Sequence, residues 1–251
     1  MINVAIVEDN LLHADYILAV VLTFTNCHVL TVKTDAFEFL NYCTKEKQMP
    51  DIVLVDLEMR GMDGVSLTDY LTNYFPTIKV MALSSHMHIE AVEDMLACGA
   101  KGYAVKAFPR VNRFEALPNT KYMAHLEDAI NTIVNGGYYI DPCVINDSEN
   151  KYQPFDIEKL VAKRQAENKL AISLGLTKRE KMMSSLYASA SGTKQEAIAR
   201  VLNISTNTLD KQIQSASAKL NVNNRQMFTV RSISLGLIKI VRGLVGKANG
   251  L

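Results

Sequence analysis

The feature that most constrains this chain is a set of five short, continuously apolar and largely β-branched runs spread through residues 3–105. They are Asn3-Val-Ala-Ile-Val7, His28-Val-Leu-Thr-Val32, Asp51-Ile-Val-Leu-Val55, Lys79-Val-Met-Ala-Leu83 and Gly102-Tyr-Ala-Val105. A half-exposed strand alternates apolar and polar residues, whereas a run that is apolar throughout belongs to a strand covered on both faces, as in a parallel sheet. Amphipathic stretches at about 10–24, 35–47, 65–74, 87–98 and 122–135 follow the runs. The alternation predicts a doubly wound α/β domain on a five-stranded parallel sheet, with ligands held beyond the carboxyl ends of the strands.

Those ends carry the residues with chemistry. The first strand runs into Glu8-Asp9, the third into Asp56, the fourth into Ser84-Ser85 and the fifth into Lys106. Three carboxylates in one crevice repel one another unless a cation intervenes, and hard oxygen donors that leave water positions open suit Mg²⁺. A carboxylate beside Mg²⁺ can attack a phosphoryl group and form an aspartyl phosphate. Lys106 would neutralise phosphoryl oxygens and Ser84 would donate a hydrogen bond. Any one of these residues alone reads as decoration at the start of a loop. All of them at matching topological places read as a site.

The segments Val7-Glu8-Asp9-Asn10, Asp56-Leu-Glu-Met-Arg-Gly-Met-Asp-Gly64, Ala82-Leu-Ser-Ser85, Gly99-Ala-Lys-Gly-Tyr-Ala-Val-Lys106 and Leu126-Glu-Asp-Ala-Ile130 make residues 1–106 and 126–142 resemble the receiver domain of a two-component response regulator. The resemblance implies Asp56 as phosphoacceptor. It implies Glu8, Asp9, Asp56 and the Glu58 backbone carbonyl as Mg²⁺ ligands, and Ser84 and Lys106 as phosphoryl contacts. Tyr103 becomes the aromatic whose rotamer follows the state of Ser84. A sensor histidine kinase is the implied donor, and the chain is a phosphoryl acceptor rather than an enzyme, with at most slow autodephosphorylation. Arg60 and Ala107 depart from the pattern, which usually has proline at both places. Residues of about 107–121 are an insertion, and Pro109 and Pro118 make it a loop. It reads as a flap, with Arg110 and Arg113 facing the carboxylates.

Charge divides the chain in two. The total of +1 is a cancellation, because residues 1–142 carry a net −8 and residues 143–251 a net +9. Such asymmetry points to two domains with different partners. Residues 143–175 form a linker, and Ile157, Leu160, Val161 and Leu170 at helical intervals predict a helix within it. From Leu176 the pattern is all-α: Thr177 and Glu180 have capping-box spacing, and segments 194–202 and 206–220 are separated only by Asn203-Ile-Ser205. Two helices joined by so short a turn define a helix-turn-helix.

Residues 176–238 resemble the LuxR-type helix-turn-helix, through Leu176-Thr-Lys-Arg-Glu180, Ile198-Ala-Arg-Val-Leu-Asn-Ile-Ser205, Thr208-Leu209, Lys219-Leu-Asn-Val222, Arg225 and Gly236-Leu-Ile238. The resemblance implies double-stranded DNA as partner and a homodimer on paired half-sites. Thr206 is placed for a phosphate at a helix N-terminus, Lys194, Lys219 and Arg225 for flanking phosphates, and Lys211 and Gln214 for base edges. Asp210 stands where the family usually has a basic residue. It can accept from cytosine N4, or it can repel phosphate. The leading expectation is a phosphorylation-controlled transcription factor. The competing one, raised by Asp210, Arg60 and Ala107, is a signalling adaptor or phosphorylation-independent regulator that binds protein. The tail 239–251 is basic and apolar, and its three glycines read as a fraying helix end rather than a membrane-surface helix. Four scattered cysteines, no basic N-terminal region and no apolar run near twenty residues predict a cytoplasmic protein without membrane insertion.

Overall fold

The computed structural model describes residues 1–85, 89–106, 125–145, 156, 158–160, 162, 174–189 and 194–238. The insertion at 107–121, with Arg110 and Arg113, the greater part of the linker and the tail lie outside the described residues. The first domain holds β1 (Ile2–Val7), α1 (Leu11–Val21), β2 (Cys27–Lys33), α2 (Ala36–Lys45), β3 (Ile52–Asp56), α3 (Gly64–Tyr74), β4 (Lys79–Ser84), α4 (Ile89–Ala97), β5 (Gly102–Val105), α5 (Leu126–Val134), β6 (Tyr139–Ile140) and α6 (Pro142–Ile145). All strand pairs are parallel, in the order β2-β1-β3-β4-β5-β6.

The continuous apolar runs became covered strands for the expected reason. Val4 to Val7 and Ile52 to Val55 are wholly buried. One layer of side chains packs under α1 and α5, with Ile17, Val20, Val21, Ile130 and Ile133 against Val4, Ile6, Ile52 and Leu54. The alternate residues of the same strands, Ala5, Val7, Val53 and Val55, meet Phe37, Phe39, Leu40, Leu67 and Tyr70 of α2 and α3. Helix starts are fixed by local polar chemistry: the side chains of Asn10, Asp35 and Asp63 accept from first-turn amides of α1, α2 and α3.

The sheet has a sixth strand in addition to the five expected. Tyr139 and Ile140 pair with Gly102 and Tyr103. Two residues offer no periodicity to read, so this edge is set by tertiary hydrogen bonds, among them the Asp141 amide donating to the Tyr103 carbonyl at 2.9 Å. Within the linker, residues 158–160 and 162 are helical, and Leu160 packs beside Tyr103 and Val144 at the α4 side of the sheet.

The second domain is α7 (Lys178–Ser189), α8 (Gln195–Val201), α9 (Thr206–Leu220) and α10 (Arg225–Ser234). Asn203 at φ 52° and Asn221 at φ 55° end α8 and α9 in the left-handed region, which asparagine tolerates better than most residues. Thr177 and Glu180 form the capping box that their spacing predicts: the Thr177 amide donates to Glu180 Oε2 at 2.8 Å, and the Glu180 amide to Thr177 Oγ1 at 3.2 Å. The two domains share one apolar cluster, with α2 against α8 and α3 against α7.

Tyr70 lies in that cluster, fully buried, and among the described residues its hydroxyl has no hydrogen-bond partner. A buried hydroxyl left unpaired costs about 1–3 kcal/mol of desolvation. Tyr70→Phe removes only that oxygen, so the expected outcome is a chain stabilised by roughly 1 kcal/mol in thermal or urea unfolding; a loss of stability would reveal a partner for the hydroxyl.

Candidate functional site

The order of the sheet reverses at β1, so the carboxyl ends of β1 and β3 open side by side at the switch point of the fold. There one carboxylate oxygen from each of Glu8, Asp9 and Asp56 lies within 4.8 Å of the others. Lys106 enters from the end of β5, its Nζ 2.5 Å from Glu8 Oε2 and 2.6 Å from Asp56 Oδ1. The lysine side chain is only 2% exposed. A cation so far from water is tolerable only because both carboxylates pair with it.

Main-chain donors add to the pairing of all three carboxylates. The Asn10 amide donates to Glu8 Oε1 at 3.3 Å and the Glu58 amide to Asp56 Oδ1 at 3.4 Å. The Arg60 amide donates to Asp9 Oδ2 at 3.0 Å. A proline at position 60 has no N–H to give, so the departure from the expected pattern supplies an anchor for Asp9. Gly64 lets the start of α3 approach β3, where any Cβ would collide with the Asp56 carbonyl oxygen.

Burial pushes the Glu8 carboxyl up to about 7, against the opposing hydrogen bond and charge of Lys106 and with the help of Asp56. Three carboxylates face one lysine, which leaves room for further positive charge. The donor set is wholly hard oxygen, which fits a small divalent cation.

Beside the cluster, Ser84 and Tyr103 are both buried and their hydroxyls hydrogen-bond to each other; burial pushes the tyrosine up to about 12. His13 was not anticipated. It sits in the first turn of α1, 3.6 Å from Glu8 through Nδ1, and burial followed by the Lys106 charge lowers its pKa. Its only sequence signal is position: the Asn10 cap brings the first turn of α1 over the end of β1.

In the second domain, Thr206 opens α9, and the Ser205 side chain caps it by accepting from the Thr208 amide at 3.1 Å. Thr206, Lys211 and Gln214 are exposed and Asp210 half-buried, all on α9, while Lys194 is exposed at the start of α8. Lys219, exposed, and Arg225, half-buried, both expected at the flanks, also have partners within the domain. Lys219 Nζ donates to both oxygens of Glu180, at 2.8 and 2.7 Å, and to the Gly175 carbonyl at 3.1 Å. The Arg225 guanidinium stacks 4.5 Å from the Tyr187 ring centre and donates to the Tyr187 carbonyl at 3.2 Å. Both cations hold the helices together. Sequence alone could not show this, because a charge carries no sign of its partner until the helices are packed.

The model of the response regulator receiver domain matches residues 4–117, and that of the luxR family of bacterial regulatory proteins matches residues 174–231. Among curated relatives, the transcriptional regulatory protein DegU of Brevibacillus brevis is 28% identical over 200 residues, covering 78% of each chain. The glycerol metabolism activator of Pseudomonas putida is 28% identical over 182 residues, covering 70% of each. A solved complex of the response regulator RcsB with DNA is 21% identical, covers 93% of this chain and 98% of that one, and has a TM-score of 0.45.

Glu180 joins the capping box to Lys219 and also accepts from Ser215 Oγ at 2.8 Å. Burial would raise its carboxyl, but the donors from Lys219, Thr177 and Ser215 outweigh it and take the pKa from its ordinary 4.5 to about 2. A carboxylate depressed on folding stabilises the folded state above its unfolded pKa, and the contribution disappears as pH falls through the folded one. Glu180→Gln is therefore expected to cost about 1–2 kcal/mol at neutral pH. Urea unfolding at a series of pH values should show the deficit constant above about pH 4.5 and shrinking toward pH 2; a deficit independent of pH would contradict the ion pair.

Proposed function

Because the chain is a two-component response regulator that joins a receiver domain to a luxR-family DNA-binding domain, we infer that its action as a phosphorylation-controlled transcription factor runs through Asp56 as phosphoacceptor. The observation that carries the reading is the meeting of Asp56 with Glu8, Asp9 and the buried Lys106 at the switch point of the sheet.

Glu8, Asp9, Asp56 and the Glu58 carbonyl would hold Mg²⁺, which supplies charge neutralisation for the incoming phosphoryl group. An Asp56 carboxylate oxygen attacks phosphorus. The new O–P bond forms as the P–N bond to the kinase histidine breaks, and the imidazole leaves with that electron pair. Lys106 stands 2.6 Å from Asp56 Oδ1, within reach of the phosphoryl oxygens, and Ser84 is the hydroxyl donor on the neighbouring strand. Tyr103 is tied to Ser84, so a movement of Ser84 toward the phosphoryl group pulls on a fully buried ring. Return of the phosphoryl group to water is at most a slow autodephosphorylation.

The output is double-stranded DNA, read by α9. Thr206 is placed for a backbone phosphate, Asp210, Lys211 and Gln214 for base edges, and Lys194 for a flanking phosphate. Lys219, which stays exposed, and half-buried Arg225 are proposed for flanking phosphates while also bracing the helices through Glu180 and Tyr187. A homodimer is the working form. It is supported by an open apolar groove along α10 that includes Met227 and Val230, 48% and 64% exposed. Among the described residues no helix is long and apolar enough to cross a membrane, and the proposed compartment is the cytoplasm, with a sensor histidine kinase as donor.

Incubation with Mg²⁺ and acetyl phosphate, followed by peptide mass mapping, should place one phosphoryl group on Asp56 and none in Asp56→Asn. An adduct elsewhere, or none at all, would overturn the assignment. On DNA, Lys194→Ala is expected to weaken binding for all sequences alike and to reduce the slope of log affinity against log salt by about one unit; an unchanged slope would remove Lys194 from the interface.

A further inference from the structure

The α2–α3 side of the receiver is covered. A helix lying on a sheet normally keeps one face in water, yet in α3 every residue from Gly64 to Leu71 is buried, including Thr68, Asp69 and Tyr70. The helix that meets it shows the same thing: in α7 the run Met183 to Ala188 is buried without interruption. Each helix serves its own core on one side and is covered by the other domain on the opposite side. A single apolar cluster crosses the boundary, from Phe37, Leu40, Tyr70 and Leu71 to Met183, Leu186, Ile198 and Val201. The close helix contacts between the domains run through α2 with α8 and α3 with α7.

The reading helix is left out of this seat. Thr206, Asn207, Thr208, Lys211, Gln214 and Ser215 of α9 are exposed. So are Met227 and Val230 of α10. The Ser84–Tyr103 pair lies on β4 and β5, two strands that form a separate cluster with α4.

We propose that the α2–α3 face of the receiver is a docking seat for this chain's own helix-turn-helix domain, and that the seated arrangement is already competent to read DNA. The seat fixes the direction in which α9 points relative to the receiver. Control then acts on the pairing of two seated molecules rather than on exposure of a hidden helix. The attraction that holds the seat is apolar, so the opposite net charges of the two halves are not what closes it. The existence of the seat rests on geometry alone, while its consequence for DNA rests on the function proposed above.

Two variants on opposite sides of the seat test the idea in the full chain: Tyr74→Arg at the end of α3 and Ala197→Arg on α8, both at partly buried positions packed against the shared cluster. Small-angle X-ray scattering of the dilute wild-type chain should give a compact particle with the domains in contact, with and without Mg²⁺ and beryllofluoride. The variants should be larger, yet still accept a phosphoryl group on Asp56, which shows that the receiver is folded. Wild-type scattering that requires separated domains would overturn the seat whatever the variants do. DNA affinity tests the consequence. A helix masked in most molecules gains apparent affinity in proportion to its release, about tenfold or more for a strong mask. The seat predicts no such gain in either variant, and a gain of that size would overturn competence in the seated state. If no form binds DNA, the proposed function fails, while the scattering still decides the seat.

Discussion

The buried ammonium of Lys106, held between Glu8 and Asp56, is the interaction on which the rest of the molecule depends. Two carboxylates 2.5 and 2.6 Å from one lysine are satisfied only if β1, β3 and β5 end at a common level, and only a parallel sheet in this order brings those ends together. The cost of removing three charges from water is large unless each is paired. The geometry meets that demand for the lysine but leaves carboxylate to spare, with Asp9 held by a backbone amide rather than a cation. The surplus of negative oxygen is what would suit the site to a divalent cation in the proposed phosphoryl transfer.

The second domain solves a similar problem at lower cost. Glu180 satisfies its own helix start and then reaches Ser215 and Lys219 on the reading helix, so one carboxylate fixes where α7 begins and how α9 lies across it. Arg225 on the Tyr187 ring ties α10 to α7 in the same manner, and the Tyr187 ring meets Phe228 edge-on. A helix that reads DNA must keep its outward side free of such partners, and in α9 Ser215 and Lys219, which pair with Glu180 of α7, lie toward the C-terminal end. The N-terminal half remains available.

Much of this was legible in the chain. Continuous apolar runs gave the parallel sheet because both faces of each strand need burial. Glu8, Asp9, Asp56, Ser84 and Lys106 could be grouped because fold topology alone brings strand ends together. Thr177 and Glu180 announced a helix start by spacing. What stayed hidden depended on packing between elements. The two-residue β6 has no periodicity, and the close approach of His13 to Glu8 follows from the angle of α1. The apolar residues on both sides of α3, such as Tyr70 and Leu71, look like ordinary core until a second domain is seen to cover them. Lys219 and Arg225 read as free cations because sequence records charge but not its neighbour. The Arg60 amide is the subtlest case, where a departure from an expected proline matters through the backbone rather than the side chain.

In the proposed function, chemistry at the carboxylate cluster governs what α9 does on DNA. This link is tested most directly by measuring the affinity of one protein preparation for a selected operator sequence before and after phosphorylation with Mg²⁺ present, beside Asp56→Asn treated identically. Affinity for paired half-sites should rise on phosphorylation in the wild-type chain and stay at its starting value in the variant. Equal affinities before and after in the wild-type chain, with the adduct on Asp56 verified, would contradict the link.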